Sequence, residues 1–168
     1  MRNMRGDRGV ASVEFAFVLP VLLLLSIVAA EFGFALADWL AVSNATRTGA
    51  RVVSAGGDDP STDTAVLNAI EEAFSGAPRA DITSVEIFEV LPGGSQGATQ
   101  QYPYSGGFGA CSVCAWPPAS RSDQLASLDT AGVRVNFNHN WVIGLWSNTP
   151  AGWGDSEVIR IEPDFQGP

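Results

Sequence analysis

RGVASVEFAFVLPVLLLLSIVAAEFGFALA, residues 8–37, decides how the rest of the chain is read. Between Glu14 and Glu31 every residue is apolar or small apart from Ser26. A helix rises about 1.5 Å per residue, so a run near this length crosses the roughly 30 Å hydrocarbon layer of a bilayer. A segment apolar on all sides belongs in lipid or in a large core, and a chain of 168 residues is too short to build such a core around it. Residues 10–37 are therefore expected to form a transmembrane helix. Arg2, Arg5 and Arg8 precede the run against one acid, Asp7, and no basic residue follows until Arg47. Cationic flanks stay on the cytoplasmic side. The N-terminus is expected in the cytoplasm, with everything after Ala37 outside, in a single-pass cell-membrane topology.

Glu14 breaks the apolar pattern a few residues past the arginines. An ionised carboxylate near the middle of a lone membrane helix costs about 2.5 to 3.5 kcal/mol, and less toward an interface. Either Glu14 lies shallow enough to reach headgroups, or it needs a cation, and none stands between Arg8 and Arg47. Cleavage between Gly9 and Val10 would create one. The new amine, with an ordinary pKa of about 8, would lie four residues from Glu14 or reach Glu14 of an adjacent subunit.

Arg8-Gly9, then Val10-Ala11-Ser12-Val13, then Glu14-Phe15 followed by Ala16, Val18, Leu19 and Pro20, resembles the processing site and helix start of type IV pilin-like proteins. The resemblance is to the TadE-like minor pilins, or pseudopilins, of the tight-adherence pilus system. Glu31-Phe32-Gly33 and Asn44-Ala45-Thr46-Arg47-Thr48-Gly49-Ala50-Arg51 fit the same pattern. The resemblance implies that a prepilin peptidase cuts after Gly9. It also implies that Glu14, fifth in the mature chain, pairs with a neighbour's terminal amine during pilus assembly. The major pilins of the system usually carry Glu-Tyr where this chain has Glu14-Phe15, which favours a minor component. A rival is a secretory signal cut at Ala35-Leu36-Ala37. Its apolar region would exceed the usual length of about 7 to 15 residues and would put Glu31 at the cleavage region.

The formal net charge is -9 and lysine is absent. Beyond Leu40, six scattered arginines face fourteen acids, so nucleic-acid binding lacks a basic patch. The extracytoplasmic part, residues 38–168, suffices for one small domain. In order, residues 1–9 read as a leader peptide and Val10 to about Ala55 as one helix of roughly 65 to 70 Å. Pro20 removes the bond its N–H would give to Ala16 and should kink or loosen that helix. Leu40, Ala41, Asn44, Ala45, Thr48, Val52 and Ala55 recur at spacings of three and four, a stripe that could seat the helix on a domain. Gly56-Gly57-Asp58-Asp59-Pro60 stops it. Arg47 and Arg51, four apart, read as solvated or paired with nearby acids. Ser61 or Thr62 would cap a second helix to Phe74, ended by Ser75-Gly76-Ala77-Pro78. Glu71 and Glu72 read as its solvated face.

Strands are expected at Ile82–Leu91, with an irregularity near Phe88, at Ala131–Ile143 and at Glu157–Ile161. Residues 92–127, rich in Gly, Ser, Gln and Pro, read as a long surface loop with at most a short helix near Arg121–Leu128. The fold class is α+β: a helical spine, a second short helix, and a small antiparallel sheet of about three strands laid against them, pilin-like.

Candidate chemistry is sparse. Cys111-Ser112-Val113-Cys114 has thioredoxin-like spacing, but it sits among glycines and prolines rather than at a helix start. Outside the cytoplasm such a pair is expected to form a disulfide. His139 is the sole histidine, too few ligands for structural zinc, and reads as a surface or half-buried strand residue. Trp141, Trp146 and Trp153 read as core packing and sheet-edge capping. No P-loop, nucleophile elbow or metal-spaced carboxylate set is present. The reading is a structural protein, not an enzyme, with no cofactor. Its expected partners are a prepilin peptidase, other pilin subunits and assembly proteins, and the lipid bilayer, but no nucleic acid. The alternative is an anchored or secreted binding module that recognises a surface through an aromatic loop, Tyr102 to Trp116.

Overall fold

The computed structural model describes residues 7–75, 79–142 and 151–163. The leader residues before Asp7, the helix stop at 76–78, the end of the second expected strand at Ile143, and Trp146 lie outside them. The chain divides into two compact units, one up to Leu36 and one from Ala37 onward. Helix α1 (Asp7–Gly56) supplies the described part of the first unit and continues into the second. Within the first unit the helix presents Val10, Val13, Phe15, Phe17, Val18 and Val21 to Leu25 outward on every side. It stays helical on both sides of Pro20.

In the second unit, α1 is followed by α2 (Thr62–Phe74) and a five-stranded sheet. The strands are β1 (Ala80–Val90), β2 (Gln96–Pro103), β3 (Val113–Cys114), β4 (Thr130–His139) and β5 (Ala151–Arg160), in the order β3-β2-β1-β4-β5. Every neighbouring pair is antiparallel. The α+β class and the helical spine stand as expected; the sheet is larger. The stretch read as a loop over residues 92–127 holds β2, β3 and a 3₁₀ turn at Pro118–Ser120. A hairpin turn makes this possible: Gly93 and Gly94 take φ of 104° and 86°, and Leu91 and Ser95 close the turn through their backbones.

The core sits between the helices and one face of the sheet. Val42, Ala45, Ala50 and Val53 of α1 and Val66, Leu67 and Ile70 of α2 meet Val85 and Ile87 of β1 and Val133, Val135 and Phe137 of β4. Gly49 explains the closeness of the helices. A Cβ there would stand 2.7 Å from the Ile70 side chain. Two shifts of register set the faces of β1. One, between Ile82 and Ser84, lets Ile82 and Val85 point the same way despite their odd spacing. The other, between Phe88 and Val90, is the irregularity expected near Phe88. Phe88 itself belongs to the outer face, level with Glu86 and Arg134, yet it is buried. Its ring fills the space left by Gly132, and the Arg134 guanidinium lies over it at 5.1 Å.

The α2 cap differs from expectation. The Ser61 side chain makes no cap bond; its N–H and hydroxyl both donate to Asp59, 2.7 and 2.6 Å away. Those two bonds, the side-chain one first, hold the Asp59 carboxyl below its ordinary range.

Candidate functional site

The residues expected to act in assembly all lie on the N-terminal part of α1. Gly9, Val10 and Glu14 are exposed on one uninterrupted helix, with Pro20 two to three turns beyond. Glu14 is ringed by Val13, Phe15, Phe17 and Val18, each more than half exposed. A surface this apolar has no business in water. Its length and composition fit a single-pass membrane anchor. Residues 9–51 match the TadE family, described as TadE-like protein. That segment is similar to the TadE family. The matched segment opens at Gly9, includes Glu14, and ends on Arg51, within the last turns of α1. No curated relative matches at a significant level. No solved structure does either. The match spans 43 of the 168 residues, about a quarter of the chain.

The matched segment and α2 together supply the helix side of the domain, and each helix contributes to one of two buried polar clusters. The first joins Asp38 of α1 to His139 of β4, Oδ2 to Nδ1, at 2.7 Å with both side chains buried. Trp153 stacks on the imidazole at 5.6 Å with the planes 3° apart, and Trp141 meets it edge-on at 4.8 Å. Trp39 and Phe137 extend the aromatic group. The expected surface or half-buried histidine is thus fully buried. The reason is phase: His139 continues the inward alternation of Val133, Val135 and Phe137. Asp38 lies four residues before Val42, on the same inward stripe. With Nδ1 engaged by the carboxylate and Nε2 enclosed among rings, the imidazole has no route to a substrate. The pair is structural: it fastens α1 near Asp38 to the end of β4.

The second cluster holds the segment between β2 and β4. The Arg121 guanidinium, wholly buried, lies 2.6 Å from Asp63 of α2 and stacks on Trp116 at 4.8 Å. It also donates to the Trp116 carbonyl at 3.3 Å. The Tyr102 hydroxyl donates to the other Asp63 oxygen at 2.6 Å, and Gln100 accepts from the Trp116 N–H at 3.1 Å. Burial, and then the bond to Asp63, push the Tyr102 phenol up to about 12. Cys111 and Cys114 are joined in a disulfide beside β3. The aromatic loop therefore turns inward. Trp116 is 4% exposed, and Tyr104 and Phe108 meet edge-to-face at 4.8 Å against the core. Tyr104 also donates to Glu71, which raises its phenol above the ordinary range. Among the described residues, no group of three or more His, Cys, Asp or Glu is placed to hold a metal.

Sequence reasoning missed Asp38, Asp63 and Arg121. Asp38 and Asp63 were open to discovery, because each falls on the inward stripe of its helix. Arg121 was not, since nothing periodic surrounds it.

Proposed function

We propose that this chain is a minor pilin, or pseudopilin, of a tight-adherence pilus. In this reading it is inserted once in the cell membrane with its N-terminus cytoplasmic and residues 38–168 outside. A prepilin peptidase cuts between Gly9 and Val10, and the α1 segment then packs among other pilin subunits. Glu14 receives the amine of a neighbouring Val10, which removes the cost of a lone carboxylate in hydrocarbon. Pro20 weakens the helix at one point and lets it adapt to the packed fibre.

One observation carries the reading. The TadE-like match begins at the residue before the expected cut, and from Val10 to Leu25 its helix is exposed and apolar or small except at Glu14. The disulfide and the acidic, lysine-free composition agree with an extracytoplasmic domain. The rival binding-module reading would use the aromatic segment Tyr102 to Trp116, whose rings are engaged within the domain.

Mass-spectrometric reading of the first residue of membrane-extracted protein, from cells with a working pilus apparatus, tests the proposal. Val10 supports it. Met1 makes the chain a plain tether, and Asp38 makes it a secreted domain.

A further inference from the structure

The two edges of the sheet are finished differently. On one side the disulfide-stapled segment closes β2. β3 pairs with it at Gln100 and Gln101, and the N–H groups of Gly109, Ser112 and Ala115 donate to the carbonyls of Pro103, Gln101 and Thr99. On the other side β5 pairs with β4 along its whole length, and no described strand lies beyond it. A strand bonds through both its edges, so alternate main-chain groups of β5 point away from the sheet. Natural edges are usually blunted by proline, a bulge, lysine or a short strand. β5 has ten residues, no proline, and an unbroken register with β4. On its outer face Gly152, Gly154 and Ser156 are small and exposed, which leaves that part of the backbone open to approach; exposed Val158 and Arg160 follow, and the Arg160 carbonyl accepts from the Ser54 hydroxyl at 2.7 Å. Its helix-face residues Trp153, Asp155, Glu157 and Ile159 are only half-buried.

Charge decides what can lie there. Two copies pairing β5 to β5 about a two-fold axis must bring same-face residues opposite one another. The two most fully paired registers then set Asp155 against Asp155, or Asp155 against Glu157 twice. Like charges directly opposite are destabilising, so the edge is guarded against its own copy. The same two acids attract cations. Arg47 reaches Glu157 only at 3.9 Å from an exposed position and leaves that charge accessible. We propose that the outer edge of β5 is a strand-addition site for an extended, basic segment of a different polypeptide, with cationic side chains opposite Asp155 and Glu157. The site involves the domain alone, so it stands or falls separately from the processing at Gly9.

The test uses the full chain in non-ionic micelles, with two ten-residue probes, one alternating Val and Lys and one alternating Val and Glu. Amide exchange is followed by mass spectrometry. The lysine probe is expected to slow exchange within residues 151–160, and the glutamate probe to leave it unchanged. In Asp155→Lys/Glu157→Lys the preference reverses, and affinity for the lysine probe falls about tenfold or more. Protection centred elsewhere, such as the acidic corner at Asp58 and Asp59, overturns the proposal. So does a charge-reversed variant that binds the lysine probe as before. If that variant fails to fold, Asp155→Asn/Glu157→Gln takes its place, and absence of protection in the unaltered chain is then decisive by itself.

Discussion

Replacing Arg121 with methionine isolates what holds the β2–β4 segment in place. The side chain is wholly buried, 2.6 Å from Asp63 and stacked on Trp116. Methionine keeps the apolar stem and removes the charge, leaving a buried Asp63 carboxylate with only the Tyr102 hydroxyl as donor. Breaking a buried ion pair from one side typically costs about 3 to 5 kcal/mol, mostly the penalty of the charge left behind. Removing both charges in Asp63→Asn/Arg121→Met should therefore cost less than either single change. With a urea slope of about 2 kcal/mol per M, the single variant lowers the unfolding midpoint by about 2 M. Tryptophan fluorescence of the full chain in micelles reads this transition, since Trp116 is itself buried in the cluster. Arg47→Met, which removes only the exposed 3.9 Å contact with Glu157, serves as control and should stay within about 0.5 kcal/mol. An Arg121→Met midpoint close to that control would refute the reasoning, as would a double variant whose loss equals the sum of the singles.

Four further outcomes are expected. Gly49→Ala gains helix propensity but drives a methyl against the buried Ile70 side chain; a net loss of about 1 to 2 kcal/mol should appear in thermal melts, and a more stable variant would contradict the close packing. The Tyr102 phenol has a raised pKa, so its contribution is complete below pH 10 and is lost as pH climbs from 10 toward about 12. Discounted for the partial exposure of the ring, that loss is about 1 kcal/mol, and urea midpoints of Tyr102→Phe across this range should lack it. Cys111→Ser/Cys114→Ser should cost about 2 kcal/mol by loop-closure entropy and speed amide exchange in β3 and at Trp116; unchanged exchange there would show that the staple is dispensable. Glu14→Gln should leave membrane insertion intact and lower the amount of pilus sheared from cells, and unaltered yield would remove the amine-pairing step.

The helices and the two central strands were legible because their burial repeats. The α1 stripe and the β4 alternation follow periods of 3.6 and 2, and the Gly56-Gly57-Asp58-Asp59-Pro60 stretch that ends α1 is strong punctuation. β2 was not. GATQQY alternates Ala98, Gln100 and Tyr102 toward the core, yet glutamine and glycine carry little strand preference. The sign that could have revealed it is Gly93-Gly94 immediately after a strand, a hairpin turn in plain sight. Ala151 to Asp155 escaped for the same reason, since glycines fill the outer face of β5. The buried Arg121 cluster depends on contacts 58 residues apart in number and irregular in spacing, for which a single chain offers no periodic cue.

His139 joins Asp38 across 101 positions of sequence. Synthesis at about 5 to 20 residues per second separates the two side chains by roughly 5 to 20 s. Throughout that interval the stripe of Val42, Ala45 and Val53 has no β4 to cover it. A nascent chain of this kind spends its youth with its most adhesive face uncovered, so the order of emergence assigns any escorting chaperone a definite duty: to guard the stretch just after Asp38 until the last third of the message has been read.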